Sequence, residues 1–461
     1  MAGLKQQLDA FFYPESVAII GASRDTGSVG RIILENFVTG KFKGKVFPVN
    51  PNVSELMGLK SFKSVLNIPG KIDLAIISVP AQIAVKVFEE CGRKKIPAVT
   101  MISAGFSEIG NLELTEQLKN SMKKYPKTRL VGPNCLGVLN AENGVDTLFL
   151  PTYRLSRPEF GNVSFISQSG ALGSAILDWA SMQEYGIAKF ISYGNAYDID
   201  ETDLMEYLAE DPKTKVIAVY IEGVKDGRKF FEKAKKLSGK KPIIVLKGGV
   251  SEEGQKATLS HTGSLAGSRE VFEALFRQTS LIQAKNMMEL FDFARVFSKL
   301  QAPKGKRIQI ITDGGGYGVL TADAVAEHGL ELAQMQEKYL KEIRKSVPSY
   351  VVLRNPMDLT GDVTNERYKI AIEQALLDKN VDMLAIILLY QVPRLDSQIV
   401  EVVSELNNKK LKPMIVISVG GAYSELHKRA LEKEGVVNFS YPFNAIKSLK
   451  ALAEYYGKRK K

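Results

Sequence analysis

Ser16-Val17-Ala18-Ile19-Ile20-Gly21-Ala22-Ser23-Arg24-Asp25-Thr26-Gly27-Ser28-Val29-Gly30 reads as a strand, a glycine-bearing turn and the start of a helix. The run 16–20 has no polar alternation, which is the pattern of a parallel strand buried on both faces. Runs of the same kind recur at 45–50, 73–80 and 97–102, with amphipathic stretches between them at 31–38 and 82–91. Strands alternating with helices at this spacing predict an α/β chain whose opening third is a doubly wound parallel sheet.

Outward from that third, the segment 140–160 carries Asn143-Gly144, Pro151 and Pro158 and reads as a loop between domains. The βα rhythm resumes at 162–166, 188–193, 216–221 and 243–246, passes through a polar stretch at 247–268 and two helical segments, and starts again after Ala302-Pro303-Lys304-Gly305-Lys306. The expected domains are therefore 1–145, 146–302 and 303–461, in keeping with 461 residues at about 150 per domain.

Composition narrows the class. With 45% hydrophobic and 25% charged residues the chain is neither disordered nor fibrous. The two cysteines, Cys91 and Cys135, form no CxxC pair, so a disulfide scaffold or a metal site is not expected. The net charge of +11 is spread along the chain except at Lys458-Arg459-Lys460-Lys461, which speaks against a nucleic-acid partner. The start lacks a signal-peptide core and no apolar run reaches about 18 residues, so a cytoplasmic protein without a membrane partner is expected.

One pattern repeats. Phe165-Ile166-Ser167-Gln168-Ser169-Gly170-Ala171-Leu172-Gly173 is matched 145 residues later by Ile310-Ile311-Thr312-Asp313-Gly314-Gly315-Gly316-Tyr317-Gly318. Both read as a buried strand, a hydroxyl, a turn of small residues and a helix start, which suggests two sites of related purpose.

Several residues point to chemistry. After the first strand, the turn at 21–30 places backbone N–H groups and a helix N-terminus where a phosphate would be favoured. It is not a clean GxGxxG, and the second strand ends in Asn50-Pro51 rather than the acidic residue that holds an NAD ribose. Arg24, Lys43 and Lys45 instead offer charge for a further phosphate, such as that of the 3′-phosphoadenosine of CoA. Gly132-Pro133-Asn134-Cys135 follows a short strand; it suits either the lining of a thioester site or a structural turn with a buried thiol. His328 and His427 fall in amphipathic helical stretches as surface or boundary residues. His261 stands in a long glycine- and hydroxyl-rich stretch without periodicity, the setting of a functional loop, where a neutral imidazole can serve as a nucleophile. Such a histidine needs a carboxylate on its Nδ1–H, and Glu222, at the carboxyl end of an apolar run and before Gly223, is the candidate.

Gly21-Ala22-Ser23 with Gly30, Gly132-Pro133-Asn134-Cys135, Ser167-Gln168-Ser169-Gly170, Glu222-Gly223, Ser260-His261-Thr262-Gly263-Ser264, Asp313-Gly314-Gly315-Gly316 and Asn355-Pro356-Met357-Asp358-Leu359-Thr360-Gly361 stand in the order seen in ADP-forming acyl-CoA (acetyl-CoA) synthetases, relatives of succinyl-CoA synthetase. The chain resembles the α subunit of that family over nearly its whole length. The resemblance implies an N-terminal Rossmann-type CoA-binding domain followed by two flavodoxin-like domains. It implies phosphohistidine formation at His261 with Glu222 as supporting carboxylate. Ser167, Gln168, Ser169 and Gly170, with Gly314, Gly315 and Gly316, would bind phosphate at two helix N-termini. CoA would be met by Gly21, Ala22, Ser23, Arg24, Val29, Gly30, Lys45, Val79 and Pro80, and the acyl thioester by Asn134 and Cys135. Phosphate would cleave acyl-CoA to acyl phosphate and CoA, His261 would take the phosphoryl group and release the acid, and ADP would be converted to ATP. The sequence leaves no room for the family's ATP-grasp module. ADP/ATP and magnesium are therefore expected mainly on a separate ATP-grasp β subunit, in an α2β2 assembly, with small carboxylic acids and acyl-CoA as substrates. The competing readings are a NAD-dependent oxidoreductase and a non-catalytic CoA-binding module.

Overall fold

The computed structural model describes residues 4–256 and 269–459. Its chain forms two compact units, Met1–Gln283 and Ala284–Lys461. In the first unit, one sheet has five parallel strands in the order Lys45–Val49, Ser16–Ile20, Leu74–Ile77, Ala98–Met101 and Arg129–Val131. Alternate residues of these strands feed two cores. Val17 and Ile19 join Ile33, Leu34 and Phe37 of the helix Val29–Thr39. Ala18 and Ile20 join Phe88 of the helix Ala81–Arg93, with Val99 and Leu130. Helices thus cover both faces, as the unalternating apolar runs require.

The second sheet of this unit runs Ile282–Ala284, Ile243–Lys247, Val216–Ile221, Phe160–Ser167, Ile187–Ser192, Gly137–Asn140, Val145–Asp146. The last two strands form an antiparallel hairpin, and Gly137–Asn140 pairs antiparallel with Ile187–Ser192. The stretch read as a loop from 140 therefore begins inside a hairpin. Asn143-Gly144, with Gly144 at φ 76°, turns the chain back on itself and carries residues 137–146 into the second sheet. This sheet also buries a charge pair. The Lys189 ammonium, 1% exposed, donates to Asp211 Oδ2 at 2.7 Å and to Tyr13 Oη at 3.0 Å. Burial raises the pKa of Asp211, but the hydrogen bonds from Lys189 and Thr214 outweigh it and hold this carboxyl below its ordinary value.

The second unit has the order Glu331–Leu332, Arg307–Thr312, Met383–Ile387, Met414–Ile417, Val437–Phe439, with Met357–Asp358 paired to the end of Arg307–Thr312. Numbering the strands of each sheet in chain order, hairpin and short extra strand apart, gives 2-1-3-4-5 in all three, a doubly wound order whose switch point lies between strands 1 and 3. The helix Met287–Lys299, which precedes the boundary expected at 302, is part of this second unit. Its Arg295 donates to Glu432 at 3.1 Å and to Asn438 O at 3.0 Å. His427 is not at the surface: it is 4% exposed, donates from Nδ1 to Tyr423 O at 2.8 Å and lies 4.4 Å from the rings of both Tyr390 and Tyr423. Charged neighbours along the helix Ala422–Lys433 hid its apolar face. No helix among the described residues is long and apolar enough to cross a membrane.

Candidate functional site

The first turn is built on two glycines. Gly21 has φ +95°, and a Cβ there would lie 2.8 Å from Ser78 O; a Cβ on Gly30 would lie 2.1 Å from Gly21 O. The helix Val29–Thr39 therefore packs directly on the peptide at the strand end. Asn50, standing where an acidic ribose ligand would be, donates from Nδ2 to Ala22 O at 2.7 Å and ties the second strand to the turn. Ser23 Oγ accepts from Asp25 N at 3.1 Å, and Arg24 is exposed. Lys45 does not join these residues. It begins its strand opposite Ser16, at the amino edge of the sheet, whereas the turn lies at the carboxyl edge; its charge was legible but not its end of the strand.

Gly132 and Pro133 are joined by a cis peptide bond, and Asn134 takes the left-handed region at φ 57°. Asn134 Nδ2 donates to Asn195 Oδ1 at 3.2 Å, and Asn195 Nδ2 to Glu108 Oε2 at 2.6 Å. Cys135 is 4% exposed, its Sγ donates to Met101 O at 3.3 Å, and burial pushes its thiol up to about 12. A thiol held in that state is a poor nucleophile at neutral pH.

The two repeated turns share one geometry, each within its own unit. Ser167 Oγ donates to Ser169 O at 2.7 Å, and Thr312 Oγ1 to Gly314 O at 3.0 Å. Ser169 and Gly314 are the N-caps of the helices Gly170–Met182 and Gly315–Glu327. The residue before each cap reaches across the switch point to the end of strand 3. Glu222 N and Gly223 N donate to Gln168 Oε1 at 2.7 and 3.2 Å, and Leu389 N donates to the Asp313 carboxylate at 3.1 and 3.0 Å. Burial pushes Asp313 up to about 7 against the hydrogen bond from Leu389, and Asp358 adds to the rise.

Glu222 is 6% exposed. Tyr220 Oη donates to its Oε1 at 3.2 Å, and Lys247 Nζ donates to its carbonyl oxygen at 2.9 Å. Burial pulls the Lys247 ammonium down to about 8, opposed by the Glu222 charge. The expected partner of Glu222, His261, lies outside the described residues.

A cavity of about 770 Å³ in the first unit gathers much of the expected set. Val29, Val79 and Pro80 line it from the first sheet, Asn134 and Cys135 from the proline turn, and Gln168, Ser169 and Gly170 from the helix N-terminus. Gly21, Ala22, Ser23, Arg24 and Gly30 form the turn next to Val29 without lining it, and Gly314, Gly315 and Gly316 belong to the other unit. Sequence reasoning missed Ser78, Ser103, Phe149, Leu150, Ser174 and Asn195 in this lining. Ser103 directly follows the run 97–102, Ser78 is the hydroxyl that interrupts the run 73–80 where its strand ends at Ile77, and Asn195 follows a strand and Gly194, so their places at carboxyl edges were a usable signal.

Three family models tile this architecture: a CoA binding domain over residues 15–141, a succinyl-CoA ligase like flavodoxin domain over 160–297 and a ligase-CoA domain over 308–458. Together they define the class as a CoA ligase of the succinyl-CoA ligase type. The chain is 41% identical over 455 residues to acetate–CoA ligase [ADP-forming] II subunit alpha of Pyrococcus furiosus, covering 97% of each. It is also 41% identical over 459 residues to acetate–CoA ligase [ADP-forming] of Methanocaldococcus jannaschii, covering 99% of this chain and 64% of that one. A solved dinucleotide forming acetyl-coenzyme A synthetase 1 of Ca. Korarchaeum cryptofilum, in complex with phosphate and ADP, superimposes with a TM-score of 0.92 at 36% identity, covering 98% of this chain and 97% of that one. The chain belongs to the family of ADP-forming acetate/acyl-CoA ligase α subunits, acid–thiol ligases of the succinyl-CoA synthetase-like superfamily. The oxidoreductase and the non-catalytic module are set aside by that membership.

Proposed function

We propose that the cavity bounded by Val79, Pro80, Asn134 and Gln168 to Gly170 is where acyl-CoA and phosphate react, and that His261 carries the phosphoryl group away. The observation that supports this most is that Val29, Val79 and Pro80 of the expected CoA set, Asn134 and Cys135 of the thioester set and Gln168 to Gly170 of the phosphate set line one cavity. The pantetheine arm runs past Val29, Val79 and Pro80 toward Asn134. Amide N–H groups at the start of the helix Gly170–Met182, capped by Ser169, hold phosphate by hydrogen bonds and the helix dipole. A phosphate oxygen bonds to the thioester carbonyl carbon, the C–S bond breaks, and CoA leaves as thiolate. Nε2 of His261 then bonds to phosphorus as the P–O bond to the acyl group breaks, releasing the carboxylate. Glu222 accepts the Nδ1–H and favours the charge that develops on the ring. The dipole of the helix Gly170–Met182, with the N–H groups of its first turn, stabilises the charge spread over the transferring group.

ADP is the final acceptor in this scheme, bound with magnesium mainly by a partner subunit of ATP-grasp type. The 64% coverage of the longer Methanocaldococcus jannaschii relative against 97% of the Pyrococcus furiosus α subunit supports a division of that function between two polypeptides, assembled as α2β2. Among the described residues no group of three or more His, Cys, Asp or Glu is placed to hold a metal ion, and no step assigned to this chain's residues runs through one. The test is ATP formation from acetyl-CoA, ADP and phosphate by the chain with its partner. His261→Asn should abolish it, and Glu222→Gln should lower it about 10- to 100-fold; full activity in the His261→Asn protein would refute the proposal.

A further inference from the structure

We infer that Gln168 is a positioning residue for Glu222, acting through its amide oxygen rather than as a ligand of phosphate. This rests on the role proposed above for Glu222. Two backbone N–H groups, of Glu222 at 2.7 Å and Gly223 at 3.2 Å, converge on one end of the Gln168 side chain. Backbone N–H groups only donate, so that end is the carbonyl oxygen and the orientation of the amide is decided by chemistry. The same residue's own N–H donates to Tyr220 O at 3.1 Å. Gln168 thereby clamps the strand end from both sides of Ile221, at the point where parallel pairing of Val216–Ile221 with Ile243–Lys247 stops. Lys247 holds the Glu222 carbonyl and Tyr220 holds its carboxylate. With Gln168 on the amide, backbone and head group of Glu222 are all restrained.

The second unit supplies an independent observation. Asp313 occupies the position of Gln168 in the repeated turn and makes the equivalent bond, accepting Leu389 N at the end of the neighbouring strand. A carboxylate has no N–H to give a phosphate. What Gln168 and Asp313 share is an acceptor oxygen aimed at a strand-end amide, so the acceptor is what this position of the turn requires.

A double-mutant cycle tests this, using the rate at which acetyl-CoA and radiolabelled phosphate phosphorylate the full chain. Gln168→Met removes the acceptor at similar length, Gln168→Glu keeps it, and Glu222→Gln removes the carboxylate. At saturating phosphate, Gln168→Met is expected to slow labelling about tenfold and Glu222→Gln at least as much. The double variant should be no slower than Glu222→Gln within about twofold. Gln168→Glu should recover most of the rate at saturation while raising the KM for phosphate through its added charge. Single effects that multiply, or a Gln168→Glu chain as slow as Gln168→Met at saturation, overturn the inference while leaving the role of Glu222 intact. A Glu222→Gln chain that labels at the wild-type rate removes Glu222 from the mechanism, and the inference falls with it. If Gln168→Met does not fold, the Gln168→Glu arm against wild type decides alone: a loss of kcat at saturating phosphate contradicts the inference, and its retention supports it.

Discussion

A methyl group on Gly30 would sit 2.1 Å from the carbonyl oxygen of Gly21, so Gly30→Ala must push the helix Val29–Thr39 off the strand end. Overpacking of this kind costs about 1–3 kcal/mol. The expected outcome is a lowered thermal midpoint and weaker CoA binding by calorimetry; unchanged values would remove the close approach as the reason for glycine. Cys135 makes the opposite kind of prediction. Its thiol, pushed up to about 12 by burial and donating to Met101 O, should resist alkylation at pH 8 in the folded chain. Cys135→Ala should keep acyl transfer within about tenfold, whereas a complete loss would make it a nucleophile. These residues also show what was legible. Gly21 and Gly30 were legible from their place between the first strand and the helix that follows it, not from a clean GxGxxG spacing. Lys45 misled because charge is visible in a sequence while the end of the strand that bears it is not.

At the scale of elements, the repeated turns were readable because each strand is buried on both faces and each turn needs small residues. The bonds from Gln168 and Asp313 to a neighbouring strand were not, since they join residues 54 and 76 positions apart. Asp313 gives a pH prediction. A carboxyl at about 7 in the folded chain and about 3.9 unfolded takes up a proton on folding between those values. This group therefore contributes stability that is fully present below about pH 4 and is lost as pH rises through about 7. Asp313→Asn keeps an acceptor and removes the titration. Relative to that variant, the wild type should lose stability from pH 5 to pH 8 in thermal melts, and parallel curves would contradict the assignment. The Lys189–Asp211 pair tests the second sheet. Lys189→Ala leaves a buried carboxylate without its cation and should destabilise by about 3–5 kcal/mol in urea; a loss under about 1 kcal/mol would show that the pair behaves as an exposed one. A lysine inside an apolar run gave no sign in the sequence that it was 1% exposed.

Over the whole molecule, three sheets share one strand order, and the first unit gathers a cavity of about 770 Å³ from residues that follow its strands. The expected division at 145 could not reveal the hairpin 137–146, because two short strands separated by Asn143-Gly144 look like a linker until a partner strand, Ile187–Ser192, is in place. The chain supplies the acyl and phosphoryl chemistry in this account, and its partner supplies the nucleotide. Without that partner it should release CoA from acetyl-CoA and phosphate no further than one turnover and make no ATP. The most direct test is to incubate the chain with acetyl-CoA and radiolabelled phosphate and to map the label by peptide. The label should sit in one base-stable, acid-labile phosphohistidine at His261 and be absent from His261→Asn; a chain that stays unlabelled, or carries its label at His328 or His427, would contradict a phosphoryl carrier at His261.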